Sequence, residues 1–362
     1  MGIKKVTWGE FKNKKVFIYS IKEGSTVLKL SNYGALMQSL IVLDKSKQNI
    51  DILLGYDHLV SYINDSSYMG VVPAVFANRI SRGKLLLNGK EVELDRKGAK
   101  HALHAGAIGK EVWEATVHES ANGTGVIFTL RVQDGYDGFP GDIRLKVTYF
   151  LDKNGFVYTA YEAESSKDTV INLTNHAYFN LGEKDILSHM LRIYSDSILE
   201  TDIELIPTGK TRNIKNSAFD FTKYKKVGQS IDEDDQQLIY GKGYDINYIT
   251  NRIHKNVVNH PISQEEIIIY PVADMRSNKS GIELKLLSSQ PGVQLYTANQ
   301  MSSESGKKNV KHFSRAGLCL ETQHYPDSPN HVKFPSTTLK KGMKYFEMSV
   351  YKLSVDHIAH LF

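Results

Sequence analysis

The 362-residue sequence contains a single cysteine, Cys319. A lone cysteine excludes an internal disulfide and is typical of proteins from reducing compartments. Residues 1–15 are polar, with five lysines and no apolar core, so we expect no secretory signal there. No apolar run approaches the roughly 20 residues that a membrane-spanning helix needs. These absences predict a cytoplasmic protein with no membrane partner.

Motifs for nucleotide binding and for covalent catalysis are missing as well. There is no G-x-G-x-x-G or G-x-x-x-x-G-K-[ST] loop for phosphate, and no G-x-S-x-G motif for a nucleophilic serine. The formal charge of +5, from 45 basic and 40 acidic residues, is spread along the chain, which argues against a nucleic-acid partner. His101 and His104 have a spacing that metal ligands use, but no third ligand follows closely, so a zinc or iron site has weak support.

Strand patterns run through the whole chain, whereas sustained helical periodicity is missing. Apolar and polar residues alternate over residues 143–149, the period-two pattern of a half-buried strand. Asn88-Gly89 separates two short runs, residues 84–87 and 90–94, and favours a tight hairpin because both residues accept positive φ. At most a short helix is expected, over residues 57–62. Further strand-like runs are residues 126–132, 156–162, 266–270 and 282–287.

Many closely spaced strands predict an all-β fold, a large antiparallel β-sandwich. No linker rich in proline or serine divides the chain and we find no internal repeat, so residues 1–362 are expected to form a single domain. The acidic residues 232–235 are interpreted as a solvated loop, and the polar stretch 251–264 as a surface excursion.

Five segments place polar residues where the core of a strand would be apolar. Interpreted as a strand, the third puts Asn172, Thr174, His176 and Tyr178 on one face, where His176 can meet a ligand. In the fifth, Leu318 and Leu320 would face the core, opposite Cys319, Glu321 and Gln323. Taken alone, His176 also fits a hydrogen-bonded core histidine, and Glu321 an ion-pair partner. The segments are residues 77–80 (ANRI), 101–106 (HALHAG), 172–180 (NLTNHAYFN), 243–247 (GYDIN) and 317–329 (GLCLETQHYPDSP).

Taken together and in this order, these segments resemble the aldose 1-epimerase (galactose mutarotase) family. The similarity runs from about residue 34 to about residue 350. Any one piece can arise by chance, whereas five in the right order point to the family. The resemblance implies a large antiparallel β-sandwich with an open sugar-binding cleft, which agrees with the strand pattern. Its most specific pieces are residues 172–181, 205–209, 243–247, 291–297 and 320–330.

The resemblance also implies a function and a set of site residues. It implies an aldose 1-epimerase, an isomerase that interconverts the α and β anomers of free hexoses such as galactose and glucose, with no cofactor and no metal. His176 falls on the position of the general acid and Glu321 on that of the general base. The implied sugar-contacting residues are Asn78, Arg79, His104, Asp245 and Gln294.

Acid–base chemistry suits these residue types. Mutarotation removes a proton from the anomeric hydroxyl and delivers one to the ring oxygen, so two groups of opposite proton status, expected on either side of the sugar, suffice. Histidine titrates near neutrality, and a carboxylate is an adequate base if its pKa lies near the working pH. Tyr178 and Tyr325 are candidate walls of the cleft, although core packing is the commoner role of a tyrosine.

Two places depart from the family pattern. Ala74-Val75 replaces the Gly-Arg pair that usually precedes Ala-Asn-Arg-Ile, and residues 107–112 form a shortened loop between His104 and Trp113. The acid and base positions are intact. The altered rim near His104 leaves the preferred sugar open.

Three other functions compete with the mutarotase interpretation. A sugar sensor would use the same cleft without turnover. A glycosidase would employ two carboxylates, for which Asp245 and Glu321 are candidates. An epimerase of phosphorylated hexoses would need a basic cluster at the cleft mouth, where only Arg79 is placed. The retained His176 and Glu321 favour the mutarotase over the sensor, since a pure binder needs no such pair.

Overall fold

The alternating residues 143–149 form part of a strand, as the sequence predicts. The computed structural model describes residues 2–106, 108–302 and 305–355. In the strand Ile143–Asp152, Ile143 and Leu145 are buried and Arg144 is exposed, whereas every residue from Val147 onward is buried. The period-two pattern therefore ends where the strand becomes covered on both faces.

Strands dominate the described residues. In the first half of the chain they are β1 Ile3–Phe11, β2 Lys14–Glu23, β3 Thr26–Ser31, β4 Leu36–Leu43, β5 Asn49–Asp51, β6 Arg79–Ile80, β7 Lys84–Leu87, β8 Lys90–Glu93, β9 Ala102–Leu103, β10 Glu114–Ser120, β11 Gly123–Val132, β12 Ile143–Asp152 and β13 Val157–Ser165. In the second half they are β14 Thr169–Val170, β15 Tyr178–Phe179, β16 Met190–Ile193, β17 Ser197–Thr201, β18 Pro207–Asn213, β19 Lys225–Lys226, β20 Asp245–Ile249, β21 Asn256–Asn259, β22 Glu266–Arg276, β23 Ile282–Ser288, β24 Gly292–Tyr296, β25 Leu318–Gln323, β26 Thr338–Leu339 and β27 Lys344–Val355.

Helices are short. The α-helices are α1 Leu59–Asn64 and α2 Gln236–Gly241, and α1 begins two residues later than the expected residue 57. The described part of the chain contains no helix with the length and apolar composition needed to cross a bilayer. Single 3-10 turns are Ser81–Gly83, Ile108–Lys110, Tyr136–Gly138, Val227–Gln229, Lys307–Asn309 and Ser328–Asn330.

Antiparallel pairing joins the strands into three large sheets. Strands β1 to β5 pair in sequence order. A ten-stranded sheet has the order β10-β11-β12-β13-β27-β23-β22-β16-β19, with β21 paired to β22. A six-stranded sheet has the order β15-β25-β24-β20-β17-β18. The predicted all-β antiparallel sandwich is thereby confirmed.

One hydrophobic cluster connects the three sheets. It includes Leu28 of the five-stranded sheet, Leu145 of the ten-stranded sheet and Leu320 of the six-stranded sheet, all fully buried. Leu318 belongs to the same cluster. The face of β25 that carries the two leucines therefore packs on the core, as predicted, and the other face is left for polar side chains.

The Asn88-Gly89 hairpin forms as predicted. Strands β7 and β8 pair, with Leu87 opposite Lys90. Asn88 and Gly89 have φ values of +53° and +77°, the left-handed conformations that a two-residue hairpin turn requires.

Residues 232–235 form a loop that is largely exposed, as interpreted, and the surface excursion 251–264 contains a short strand. Asp235 caps α2, because its side chain accepts the Gln237 N–H at 2.9 Å. Asp232 accepts a hydrogen bond from the Arg315 guanidinium at 3.1 Å. Residues 251–264 include β21, which pairs with β22. The acidic residues are therefore a solvated loop in which one carboxylate also caps a helix and another pairs with an arginine.

Candidate active site

Neighbouring strands of the six-stranded sheet carry polar side chains in matched rows. Asp245 of β20 pairs with Tyr296 of β24, which pairs with Cys319 of β25. In the adjacent row, Gln294 of β24 pairs with Glu321 of β25. Because residues directly opposite each other on antiparallel strands point to the same face, these side chains share one surface.

His176 reaches this surface from a segment that is largely irregular. The sequence predicts a strand over residues 172–180, but only Tyr178–Phe179 forms one, with Tyr178 opposite Cys319. The His176 backbone is held by residues 70–71 instead. Its N–H donates to the Val71 carbonyl at 3.0 Å, and its carbonyl accepts the Gly70 N–H at 2.8 Å.

Gly70 can hold the His176 carbonyl because it also lies close against the Met37 backbone. Its φ is +69°, and a Cβ there would lie 2.6 Å from the Met37 carbonyl oxygen. A larger residue would clash with the backbone at this point, and the left-handed conformation adds further strain.

Asn172 and Thr174 do not share the ligand-facing side of His176, so that expectation was wrong. The Asn172 amide donates to the Ala77 carbonyl at 3.2 Å, and its Oδ1 accepts the His324 N–H at 2.9 Å. Thr174 is fully buried. The alternation breaks because this segment forms its backbone hydrogen bonds with residues 70–77, which are not part of a regular sheet.

A cavity of about 250 Å³ opens above the polar surface. Six of the seven residues singled out in the sequence line it, namely Asn78, Arg79, His104, His176, Asp245 and Glu321. The sequence did not single out Ser66, Ser67, Tyr68, Leu103, Tyr296 and Gln300, which also line it together with Tyr178.

His176 and Glu321 lie side by side at the cavity. His176 Nε2 is 3.7 Å from Glu321 Oε1, and the two side chains are 6% and 3% exposed. They were expected on either side of the sugar, and this separation leaves no room for a pyranose between them. Neighbouring placement suits the chemistry better, because the ring oxygen and the anomeric hydroxyl are bonded to the same carbon.

Burial favours the uncharged form of both groups. It lowers the pKa of His176 to about 4. It raises the pKa of Glu321 well above the ordinary value, with the Asp245 charge adding to the rise and Arg79 opposing it. Among the described residues, Glu321 Oε2 has no hydrogen-bond partner, so it can accept from or donate to a ligand.

His104 is fixed as a neutral donor by its contact with Asn78. The Asn78 N–H donates to His104 Nδ1 at 3.1 Å, which leaves the ring hydrogen on Nε2. Asn78 and His104 have φ values of +65° and +54°, a conformation that Asn and His tolerate better than most residues. Burial, the nearby His176 and Arg79 all lower the pKa of His104 well below its ordinary value.

Gln294 stands behind the cavity rather than in its lining. Its Nε2 donates to Asp245 Oδ1 at 2.7 Å, and its side chain is 4% exposed. Gln294 therefore orients Asp245, which lines the cavity.

Aromatic rings close one side of the cavity. The Tyr68 ring lies 4.5 Å from the His104 ring and 6.3 Å from the His176 ring. The expectation for Tyr178 holds, since it lines the cavity, whereas Tyr325 packs against Phe334 with ring centroids 5.3 Å apart. Tyr296 lies within a family-specific segment and had a signal in the sequence. Tyr68 had none.

The shortened loop touches the cavity through Tyr68. Ala107 lies outside the described residues. Lys110, at the end of the 3-10 turn Ile108–Lys110, has its Nζ 5.1 Å from the centre of the Tyr68 ring. By contrast, Ala74 and Val75, which replace the family's Gly-Arg pair, are fully buried in the core. This replacement therefore does not alter the rim of the cavity directly.

The metal-like spacing of His101 and His104 does not bring the two rings to a common site. His101 Nδ1 accepts the Arg82 N–H at 3.0 Å, and its Nε2 is 3.6 Å from Glu204. A different group, His176, Cys319 and Glu321, has donor atoms within 4.8 Å of one another. These are nitrogen, sulfur and oxygen donors, but they belong to the surface already described.

Comparison with known proteins identifies the family. The aldose 1-epimerase family profile matches residues 18–352. The chain is 34% identical to galactose mutarotase from Bos taurus over 330 residues, covering 90% of each chain. It is 31% identical to aldose 1-epimerase from Haemophilus influenzae, covering 83% of this chain and 85% of that one. A solved aldose epimerase homologue from C. elegans superimposes with a TM-score of 0.81 at 27% identity, covering 93% and 98% of the two chains.

The chain belongs to the aldose 1-epimerase family. The resemblance found in the sequence is thereby confirmed, as is the class of enzyme that it implied, an isomerase.

Proposed function

We propose that this protein is an aldose 1-epimerase that interconverts the α and β anomers of free hexoses, with His176 as general acid and Glu321 as general base. The observation that carries the proposal is the 3.7 Å separation of His176 Nε2 and Glu321 Oε1 at one cavity. Arg79, Asn78, His104 and Asp245 are proposed to hold the sugar hydroxyls. Gln294 is proposed to act through Asp245.

Ring opening moves two protons in one step. The Glu321 carboxylate takes the proton of the anomeric hydroxyl, a C1=O bond forms and the bond from C1 to the ring oxygen breaks. The ring oxygen takes the proton from His176 Nε2. The products are the open-chain aldehyde, a protonated Glu321 and a neutral His176.

Ring closure reverses these transfers after the C1–C2 bond has rotated. The freed hydroxyl attacks C1 and gives its proton to His176, while Glu321 returns its proton to the carbonyl oxygen. The pair holds one proton before and after the reaction, so no exchange with solvent is required. Each positioned acid or base contributes roughly 10²–10⁴ in rate.

Burial favours the neutral arrangement of this pair, because it disfavours both charged forms. A cyclic sugar requires the ionic arrangement, with the proton on His176. The two arrangements contain the same number of protons. At 3.7 Å, a side-chain shift of roughly 1 Å brings Nε2 and Oε1 into hydrogen-bonding distance, so the proton can pass directly between them.

This pairing predicts a rate plateau bounded by the two pKa values. The pKa of His176 is lowered to about 4, so below that pH both groups are protonated and no base remains. The pKa of Glu321 is raised, so above it both groups are deprotonated and no acid remains. We expect kcat/KM, corrected for spontaneous mutarotation, to be flat between these limits and to fall on both sides. A rate that climbed steadily into alkaline solution would contradict the shared proton.

Replacing Arg79 is expected to weaken sugar binding more than it slows the chemical step. Arg79 lines the cavity, and a hydrogen bond to a charged group is worth about 1.5–3 kcal/mol. We expect Arg79→Ala to lower kcat/KM by roughly 10- to 100-fold, mainly through KM. Arg82→Ala, three residues further on in the 3-10 turn Ser81–Gly83 and exposed, is the matched control and should keep both constants. An Arg79→Ala variant with unchanged KM would remove Arg79 from the sugar-binding set.

Polarimetry on freshly dissolved α-galactose, α-glucose and other free aldoses tests the proposal. Faster approach to anomeric equilibrium is expected, with no change on prior treatment with EDTA because His176 and Glu321 supply both proton transfers. Binding without faster equilibration would identify a sensor instead. The same panel of sugars gives the substrate preference.

Two further parts of the proposal concern organisation and location. We infer that residues 1–362 act as a single domain, which is supported by a large core cluster that includes residues from Tyr19 to Tyr351. We infer a cytoplasmic location, which is supported by the fully buried, unpaired thiol of Cys319.

A further inference from the structure

The segment that follows β25 belongs to a family-specific piece of the sequence, yet the proposed reaction uses none of its side chains. Residues 324–330 (HYPDSPN) leave the strand that carries Glu321 and include the 3-10 turn Ser328–Asn330. Asp327 precedes this turn with a φ of +56° and a side chain that is only 3% exposed. A buried carboxylate is costly unless hydrogen bonds compensate for it, so the contacts of Asp327 indicate what it holds.

Two hydrogen bonds join Asp327 to the chain on both sides of Ile80. The Asp327 N–H donates to the Arg79 carbonyl at 2.8 Å, and Asp327 Oδ1 accepts the Ser81 N–H at 2.9 Å. Ile80 itself is buried in the hydrophobic core. Arg79 and Ile80 form the whole of β6, so these two bonds span this short strand.

Two further contacts hold the Asp327 carboxylate. The Asn330 amide donates to Asp327 Oδ1 at 2.7 Å and, through the same nitrogen, to the Lys84 carbonyl at 2.9 Å. His331 Nε2 lies 3.3 Å from Asp327 Oδ2. Both carboxylate oxygens are therefore engaged, and Asn330 adds a connection from this segment to the start of β7.

The Arg79 guanidinium depends on its backbone for its position. Arg79 lines the cavity, and among the residues that the structure describes none forms a hydrogen bond or an ion pair with its guanidinium. Its five N–H donors are therefore available to a ligand. Because no other side chain holds the guanidinium, the place of β6 decides how far it reaches into the cavity.

We propose that Asp327 is a positioning residue for sugar binding, whose carboxylate holds β6 so that the Arg79 guanidinium meets the sugar hydroxyls. Residues 324–330 thereby connect β25, which carries Glu321, to β6, which carries Arg79. The inference rests on the proposed function for the role of Arg79. A carboxylate that only stabilised the fold would act without Arg79, and this difference can be measured.

Two substitutions at Asp327 separate the carboxylate from its backbone conformation. Asp327→Gly keeps the left-handed conformation, which glycine adopts readily, but removes the acceptor of the Ser81 N–H. We expect it to raise KM roughly five- to tenfold, the equilibrium weight of one net hydrogen bond, with little change in kcat. Asparagine also tolerates this conformation and retains an oxygen acceptor, so Asp327→Asn should keep KM close to the wild-type value.

Asp152 provides the matched control. It is also buried, and its Oδ1 accepts the N–H groups of Asn154 and Phe156 at 2.9 and 2.8 Å. It lies at the end of β12 in the ten-stranded sheet. Asp152→Gly should lower the melting temperature and leave KM unchanged. An equal rise of KM in Asp152→Gly and Asp327→Gly would overturn the inference, because a general loss of stability would then explain both.

A double-mutant cycle with Arg79→Ala tests whether Asp327 acts through Arg79. Polarimetry gives KM, and titration calorimetry with galactose and glucose gives Kd without any turnover. In the Arg79→Ala background, Asp327→Gly should raise neither constant further, since coupled residues give non-additive losses. Equal rises in both backgrounds would overturn the inference, as would an unchanged KM in Asp327→Gly alone.

A second variant decides the question if Asp327→Gly does not fold. Asn330→Ala removes the amide that joins Asp327 to the Lys84 carbonyl. It should raise KM when Arg79 is present and not in Arg79→Ala. No rise, or equal rises in the two backgrounds, would overturn the inference.

The two constants separate the inference from the proposed function. If the wild-type protein binds hexoses without accelerating mutarotation and the cycle in Kd is non-additive, the proposed function is overturned and the inference stands. Normal turnover with additive losses would overturn the inference alone. A protein that neither binds nor turns over hexoses would overturn both.

Discussion

Glu321→Gln is expected to lose roughly 10²–10⁴ in kcat, because an amide cannot take the proton of the anomeric hydroxyl. Sugar binding should persist. Burial favours the protonated carboxyl of Glu321, and glutamine has nearly the same shape as that group. The rate of anomeric equilibration over a series of galactose or glucose concentrations gives kcat and KM separately.

The chain provides a matched control for this substitution. Glu347 of β27 pairs with His324, with His324 Nε2 3.2 Å from Glu347 Oε1. This second histidine–carboxylate pair is also largely buried, at 13% and 14% exposure. Glu347→Gln should keep its rate. Near-normal turnover in Glu321→Gln would show that the base is elsewhere.

His176→Gln is expected to cause a loss of similar size. Without the imidazole, the ring oxygen must leave as an alkoxide or take its proton from water. The leaving oxygen is the ring oxygen of the sugar itself, so no substrate with a better leaving group can compensate for the missing acid. We therefore expect a loss of roughly 10²–10⁴ in kcat, measured by the same polarimetric assay.

The pH profile of His176→Gln provides a second signature. The acid limb near pH 4, which we attribute to protonation of His176, should disappear. His324→Gln is the control and should keep both its rate and the acid limb. If His176→Gln retained a normal acid limb, the titration would belong to another group.

The sheet structure could be predicted from local patterns because those patterns have local causes. Residues 143–149 alternate since one face of the strand begins in solvent, and Asn88-Gly89 forms a hairpin turn since both residues tolerate positive φ. The strand predicted over residues 172–180 was wrong because the structure of this segment has no local cause. Its residues are bonded to residues 70–77 through the backbone, and this contact leaves no period in the sequence.

The candidate site was predictable only as far as the family resemblance extended. His176 and Glu321 each fit an ordinary structural role when taken alone, and the resemblance supplied their pairing. It did not supply their side-by-side placement, which depends on the pairing of β15 with β25. Tyr68 reaches the cavity through tertiary packing alone, so no pattern in the sequence marked it.

Gln294 shows how a correct position can still mislead about contact. It lies on the same face of the sheet as Glu321, one row from Asp245. The distinction between touching the sugar and touching Asp245 depends on a single hydrogen bond of 2.7 Å. Strand register fixes which face a side chain occupies, but not which neighbouring group accepts a hydrogen bond from its amide.

The central claim is that His176 and Glu321 act as one unit holding one proton, and a double-mutant cycle on kcat tests it most directly. Groups that work as a unit show strongly non-additive losses. We predict that His176→Gln/Glu321→Gln loses little more than the more damaged of the two single variants. A double variant whose loss equals the product of the two single losses would contradict the shared proton, since each group would then act without the other.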